Sequence, residues 1–300
     1  MINYFSAILN QLAPPATVDA TDGNLLLLAM FIVGVFGACI GSFLNVVVHR
    51  LPRGESIAFP NSKCPSCSAA IKFYDNIPVL SYLILRGRCR NCGARISPRY
   101  PALELLTAAL FALVCRHDGL TLALPFDLVF VSALIALVFI DAEHMILPNK
   151  ITYPGAIFAL LARIIVPYTF GVEWMMVGTT DPQRFRLYSV VNSLFGAVLG
   201  AGLLWLIGWL WKRLRGIEAM GLGDVKMMLM IGAFLGVALT GVTIFLGFIS
   251  GSVVGVIVLA KRRERDMSMM LPFGIFLGLS AIVSLLYGEM ILGWYLAQFM

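Results

Sequence analysis

The chain has 300 residues, 60% of them hydrophobic and only 13% charged, with a mean hydropathy of +0.90 and a formal charge of +6. A soluble domain needs about a quarter of its residues charged to hydrate its surface, so a water-soluble fold is excluded and lipid is the solvent. The positive charge then reports membrane topology, and no nucleic-acid partner is expected.

Hydropathy predicts about eight stretches able to cross a hydrocarbon core of roughly 30 Å as helices. They lie near 24–48, 101–117, 120–140, 152–170, 188–211, 224–240, 241–260 and 274–297. Only Gly241 and its neighbours separate the runs 224–240 and 241–260, so two spans and one long kinked helix both fit there. The first 23 residues contain no Lys or Arg, and without a basic n-region the first span is expected to be retained. Of the 22 Lys and Arg, 18 fall in 49–100, at Lys150, in 212–226 and in 261–265, while Arg116, Arg163, Arg184 and Arg186 fall on the other side. Basic side chains resist translocation, so the side with 18 is predicted to be cytoplasmic and both termini periplasmic. The pairs Gly37/Gly41, Gly196/Gly200, Gly232/Gly236, Gly251/Gly255 and Gly274/Gly278 are candidate close helix contacts. No internal repeat is evident, which disfavours a transporter built from inverted repeats. The expected architecture is an all-α polytopic membrane protein of about eight transmembrane helices with a small cytoplasmic zinc-binding insert. Its parts are an N-terminus with the first span (1–48), the insert (49–100) and a membrane core (101–300).

The insert holds nine basic side chains and four of the six cysteines. Cys64-Pro-Ser-Cys67 and Cys89-Arg-Asn-Cys92 are two CxxC turns separated by 21 residues, slightly more than is usual for a four-thiolate zinc site. Two disulfides are the alternative, and a reducing cytoplasmic face favours zinc. Four protein ligands close the coordination sphere, so the metal would be structural, folding a segment too small to build its own core. Cys39 and Cys115 sit in apolar spans and are expected to be inert packing residues.

Carboxylates at a membrane boundary are costly and direct attention to function. Asp141 opens Asp-Ala-Glu-His-Met-Ile-Leu-Pro-Asn at the cytoplasmic end of the third span, and Asp224 lies in Gly221-Leu-Gly-Asp224-Val-Lys226, where a helix enters the membrane from the same face. Alone, Asp224 reads as a helix N-cap and Asp141 as a polar stop at the water boundary. Two carboxylates brought to one depth from distant parts of the chain point instead to joint chemistry. Gly221 and Gly223 remove bulk where an extended substrate backbone would lie, and with Lys226 they are assigned to the active-site loop. The chain lacks HExxH and GxSxG, and His49, His117 and His144 form no ligand-spaced group, although His144 is near enough in sequence to influence the charge of Asp141.

Six ordered segments now carry a resemblance: Gly41-Ser-Phe-Leu-Asn-Val-Val-Val-His-Arg-Leu-Pro52, the paired CxxC turns, Ser97-Pro-Arg-Tyr-Pro-Ala-Leu-Glu-Leu-Leu106, Ile140-Asp-Ala-Glu-His144, Glu218-Ala-Met-Gly-Leu-Gly-Asp-Val-Lys226 and Pro272-Phe-Gly274. Over nearly its whole length the chain resembles the prepilin peptidase family of GxGD-type membrane aspartyl proteases. The resemblance implies that Asp141 and Asp224 are catalytic and that Cys64, Cys67, Cys89 and Cys92 bind zinc. It departs at Asn149, where members usually carry Asp, and at Ile275, where a proline is common. Many members with the cysteine insert also methylate the new N-terminus with S-adenosylmethionine, and Gly87 corresponds to a glycine linked to that activity. No nucleotide-binding glycine fingerprint is present.

The resemblance also implies the substrates: prepilins and secretion pseudopilins with a short basic leader, a glycine before the cut, and an apolar helix carrying a glutamate soon after it. In such a pair one ionised carboxylate takes a proton from the attacking water and the protonated partner donates to the oxyanion, with no covalent adduct. The two titrate as one coupled unit. The basic insert would repel a basic leader unless Glu55, Asp75 or lipid phosphates offset it. A proton-coupled transporter and an assembly scaffold are the competing readings, and membrane lipid is a partner in all of them. The localisation implied is a bacterial inner membrane with a cytoplasmic active site.

Overall fold

The computed structural model describes residues 23–59, 62–167, 182–216, 221–261 and 272–298. The N-terminal 22 residues, Glu218 to Met220 and the basic run Arg262 to Arg265 therefore lie outside the described residues. Among those described, the chain is helical, with two isolated β-bridges and no strand. It divides into two compact units, Met1–Ala136 and Leu137–Met300.

In the first unit α1 (Gly23–Arg50) and α3 (Arg99–Asp118) run antiparallel. Gly37 and Gly41 let them touch: a Cβ at Gly37 would stand 2.8 Å from Phe111, and one at Gly41 would stand 2.7 Å from Glu104 Cα. Small residues at the seam substitute for the hydrophobic drive that lipid does not supply. The amide of Asn45 donates to Tyr100 O at 3.1 Å and ties the end of α1 to the start of α3. Between them stands the insert, with the short α2 (Leu80–Ile84). The helix α4 (Leu124–His144) crosses the division between units. Cys115 is buried as expected for a packing residue, whereas Cys39 is on an exposed face of α1.

The second unit contains the end of α4, α5 (Asn149–Ile165), α6 (Pro182–Arg215), α7 (Leu222–Lys261) and α8 (Phe273–Ala297). Glycine contacts again set the packing: Gly196 of α6 meets Gly232 of α7 backbone to backbone, and Gly155 of α5 receives the Met230 side chain. Among the described residues, five helices are long and apolar enough to cross a membrane: Gly23–Arg53, Leu124–His144, Gln183–Arg215, Leu222–Val258 and Phe273–Ala297.

The 40 residues of α7 do not form one rod. A Cβ at Gly200 would stand 2.8 Å from Met228 O and 3.2 Å from Thr240 Cγ2. Those two residues would be about 18 Å apart along a continuous helix, so the chain doubles back between them. It does so at Gly236, whose φ of 74° and ψ of −179° belong to glycine. Asn192 of α6 holds the bend, its Oδ1 accepting the N–H of Val237 at 3.0 Å. The break therefore falls at Gly236 rather than at Gly241, where hydropathy has its shallow dip and where an added Cβ would meet nothing within 4 Å. Arg163 lies in α5, within the run expected at 152–170, and is fully buried with its guanidinium beside Gly236.

Candidate active site

Asp141 sits one turn before the end of α4 and is 5% exposed, with its Oδ2 buried and without a hydrogen-bond partner among the described residues. Asp224 lies in the first turn of α7 and is half-buried. The charge of Asp141 acts on Asp224, which puts the two carboxyl groups in one electrostatic neighbourhood. One side chain packs on both walls of that neighbourhood: Leu147 lies 3.1 Å from a Cβ built at Gly223 and 3.1 Å from one built at Gly274.

The α8 N-terminus supplies a part that the carboxylate pattern does not reveal. The backbone N–H groups of Ile275 and Gly274 are directed at the Asp141 carboxyl, and a Cβ at Gly274 would stand 2.8 Å from Asp141 Oδ2. The first N–H groups of a helix have no partner within it, so they are natural donors to an anion. Pro272 at the N-cap starts that helix where the donors are needed. The signal in the sequence is Pro272-Phe-Gly274 opening an apolar run, a helix start whose donors are backbone and so leave no side-chain trace. Among the described residues, Asp224 has one backbone donor, from Gly221.

A Cβ built at Gly221 would stand 3.8 Å from Asp224 Oδ2, and one built at Gly223 would stand 3.1 Å from Leu147 Cβ. Lys226 turns away from both carboxylates, donating to Asn149 Oδ1 at 3.0 Å with its ammonium 5.5 Å from the centre of the Tyr153 ring. His144 is 4.0 Å from Glu143 and is not among the groups acting on Asp141, so the influence anticipated for it is absent among the described residues.

In the first unit the Sγ atoms of Cys64, Cys67, Cys89 and Cys92 all lie within 4.8 Å of one another, and all six cysteines of the chain are free thiols, which removes the disulfide alternative. Cys64 and Cys92 are 3.8 Å apart, the sulfur spacing that a tetrahedron with metal bonds of about 2.3 Å requires. The two turns share one backbone design. Cys64 N–H donates to Ala69 O at 2.9 Å and Ser68 N–H to Cys64 O at 2.9 Å, while Cys89 N–H donates to Ala94 O at 2.8 Å and Gly93 N–H to Cys89 O at 2.9 Å. Bridges Lys63 to Ala70 and Arg88 to Arg95 close each turn. This is a repeat at an offset of 25 residues, with a basic residue before the first cysteine (Lys63, Arg88) and Ala and Ile after the second (Ala69 and Ile71, Ala94 and Ile96) in both copies. Cys67 is lowered to about 6 by the N–H of Ala69 and then by the Asn91 amide, and Cys89 is lowered by the N–H groups of Cys92 and Asn91. Cys92 is pushed up to about 11, against the N–H of Ala94, by desolvation and its neighbouring thiols. Cys67 and Cys89 are thus shifted toward the thiolate, the form that binds a metal, while Cys92 is shifted away from it.

Gly87 forms part of a cavity of about 420 Å³ lined by Tyr82, Arg86, Gly87, Arg88, Arg95 and Ile96 among others. A Cβ at Gly87 would press on Tyr82 at 2.9 Å from its hydroxyl oxygen.

Residues 35–117 match the model of the bacterial peptidase A24 N-terminal domain, and residues 128–256 match that of the type IV leader peptidase family. The chain is 35% identical over 286 residues to the prepilin leader peptidase/N-methyltransferase of Pseudomonas aeruginosa, an alignment that covers 87% of this chain and 91% of the relative. It is 36% identical over 291 residues to the protein of that name from Dichelobacter nodosus, covering 88% and 93%. With that from Myxococcus xanthus it shares 42% identity over 238 residues, covering 78% of this chain and 64% of the relative. No solved structure matches.

Proposed function

Because the chain belongs to the type IV leader peptidase family, we propose that it is an inner-membrane prepilin leader peptidase and N-methyltransferase whose peptidase site is Asp141 with Asp224. The observation that carries the site is the convergence on Asp141 of a second carboxylate and the N-terminus of α8. Two carboxyl groups in one neighbourhood cannot both ionise cheaply, so the pair shares one proton and acts as a coupled unit. The ionised carboxylate takes a proton from the attacking water while its protonated partner donates to the developing oxyanion, and the tetrahedral intermediate collapses as the first carboxyl gives its proton to the departing amine of the mature N-terminus and the second recovers its own. Gly221 leaves room for the extended substrate backbone beside Asp224, Gly223 receives Leu147 under that loop, and Lys226 braces it through Asn149.

The bundle is read as eight membrane passages, with α7 counted as two, 222–235 and 237–261. The part 49–100 is the cytoplasmic insert, 1–48 carries the first span and 101–300 the peptidase core, and the basic residues favour periplasmic termini and a cytoplasmic site. The substrates are prepilins and pseudopilins, each an apolar helix that reaches the two aspartates laterally through lipid with its basic leader in the cytoplasm.

Zinc fits the four cysteine sulfurs by their spacing and donor type, and would staple the insert rather than take part in chemistry. S-adenosylmethionine supplies an electrophilic methyl group. In the cavity beside Gly87, Arg86, Arg88 and Arg95 offer guanidinium donors for its carboxylate, Tyr82 offers a ring face for its adenine, and the volume lies in the range of small-molecule sites.

The test follows leader loss from a prepilin by mass in lipid, comparing the wild type with Asp141→Asn and Asp224→Asn. The proposal expects both folded, metal-loaded variants to be inactive and the wild-type product to gain one methyl group only after cleavage. Wild-type turnover by either variant would remove the dyad and restore the transporter or scaffold reading.

A further inference from the structure

We propose that the turn 73–84 of the insert is a membrane-surface contact that seats on anionic lipid beside α3. Leu80, Leu83 and Ile84 are 50%, 65% and 65% exposed and, spaced i, i+3 and i+4, share one side of α2, while Phe73 is 86% exposed. The one residue of α2 that is buried is Ser81, whose hydroxyl donates back to Ile77 O at 2.7 Å. An apolar patch of this kind is a poor surface to leave in water.

Its depth is set by a hydrogen bond. The N–H of Val79 donates to Glu104 Oε2 at 2.7 Å, and Val79 keeps a left-handed φ of 60°, rare for a β-branched residue, at that point. Glu104 is five residues inside α3, and its Cα packs at Gly41, nine residues and about 13 Å before the end of α1 at Arg50. The turn that follows Val79 is therefore drawn down beside the membrane helices, below their polar ends, to the level where headgroups meet acyl chains.

The charges around the patch select the lipid. The insert carries nine Lys and Arg against Glu55 and Asp75, and Asp75 is already engaged by Arg90 at 2.7 Å. Lys72 and Arg90 both lie over the Tyr74 ring next to Phe73, each about 5.6 Å from its centre, and Arg86 is exposed just after α2. An apolar centre with a basic rim at a helix–membrane junction is the pattern of an interfacial element on an anionic leaflet. Phosphates held there would also screen the insert from a basic leader, whereas the same basic rim would repel the leader of a substrate helix lying on this face.

The test uses the full chain in vesicles of phosphatidylcholine with or without phosphatidylglycerol, carrying the photo-crosslinking residue p-benzoylphenylalanine in place of Leu83, of Ser66 in the first cysteine turn, or of Phe31 on the exposed face of α1. Lipid adducts are read by mass spectrometry with prepilin present and absent. The expected yield at position 83 is within about threefold of that at 31 and about tenfold above that at 66, and it falls when phosphatidylglycerol is omitted. Yield at 83 no higher than at 66, while 31 labels normally, overturns the proposal. So does a yield at 83 independent of lipid charge, or prepilin displacing lipid as the adduct.

Discussion

The cysteine insert and the Asp-bearing unit are held together by opposite means. In the insert most large apolar side chains, among them Phe59, Phe73, Leu83 and Ile84, are exposed, and order comes from backbone bonds around two cysteine turns and from four thiols. In the second unit, Leu204, Met227, Ile231, Phe234 and Leu277 are fully buried and glycines bring backbones into contact. A short segment outside the bilayer can be ordered by ligation, whereas helices in lipid must be ordered by packing. The first should fail when a few atoms are removed, and the second when atoms are added.

The largest effect should be Asp141→Asn or Asp224→Asn, which breaks chemistry without touching either means of support. Leader cleavage should fall by about a thousandfold or more in a product-mass assay while metal content stays at wild type. Next, Cys64→Ser with Cys67→Ser should release the metal and expose 62–98 to protease while α6 to α8 remain resistant, since structural zinc sites contribute on the order of 10 kcal/mol. Acid should do the same and alkali should not. The Cys67 and Cys89 thiols lie below their ordinary value when folded, so the stability they lend is present at high pH and lost as pH falls through about 6. Adding atoms should injure only the core. Gly232→Val, built into the Gly196 backbone, should lower the thermal midpoint by an amount corresponding to about 3 kcal/mol or more, leaving metal content unchanged. Gly274→Ala should displace Asp141 and cut kcat by about a hundredfold. The smallest effect is expected at Gly241→Ala, where no atom stands within 4 Å and stability should change by less than about 1 kcal/mol in either direction.

What is written in side chains is legible in the sequence. The helices follow from hydropathy, the thiol cluster from its spacing, and the two aspartates from their shared depth and flanking glycines. Backbone features are not legible. The reversal at Gly236 interrupts no apolar run, and Asn192, which holds it, lies 44 residues earlier. The donors to Asp141 belong to Gly274 and Ile275, neither of which advertises polarity. Arg163 stands out in the sequence as a charge inside a span, yet nothing there shows that its guanidinium lies beside the bend at Gly236. The repeat between cysteine turns is short, but Lys63, Ala69 and Ile71 recur as Arg88, Ala94 and Ile96 on a common backbone.

The one-residue reversal of α7 has a practical side for anyone mapping this protein. Two helical runs joined at a single glycine offer no loop between them. A reporter domain or epitope spliced at 236–241 would have to break the packing of Asn192 and Gly196 before it could be displayed, and a labelling reagent at that surface would find little to modify. Topology surveys that count connections would record one crossing where the chain goes down and returns, and every helix after it would be assigned the wrong direction.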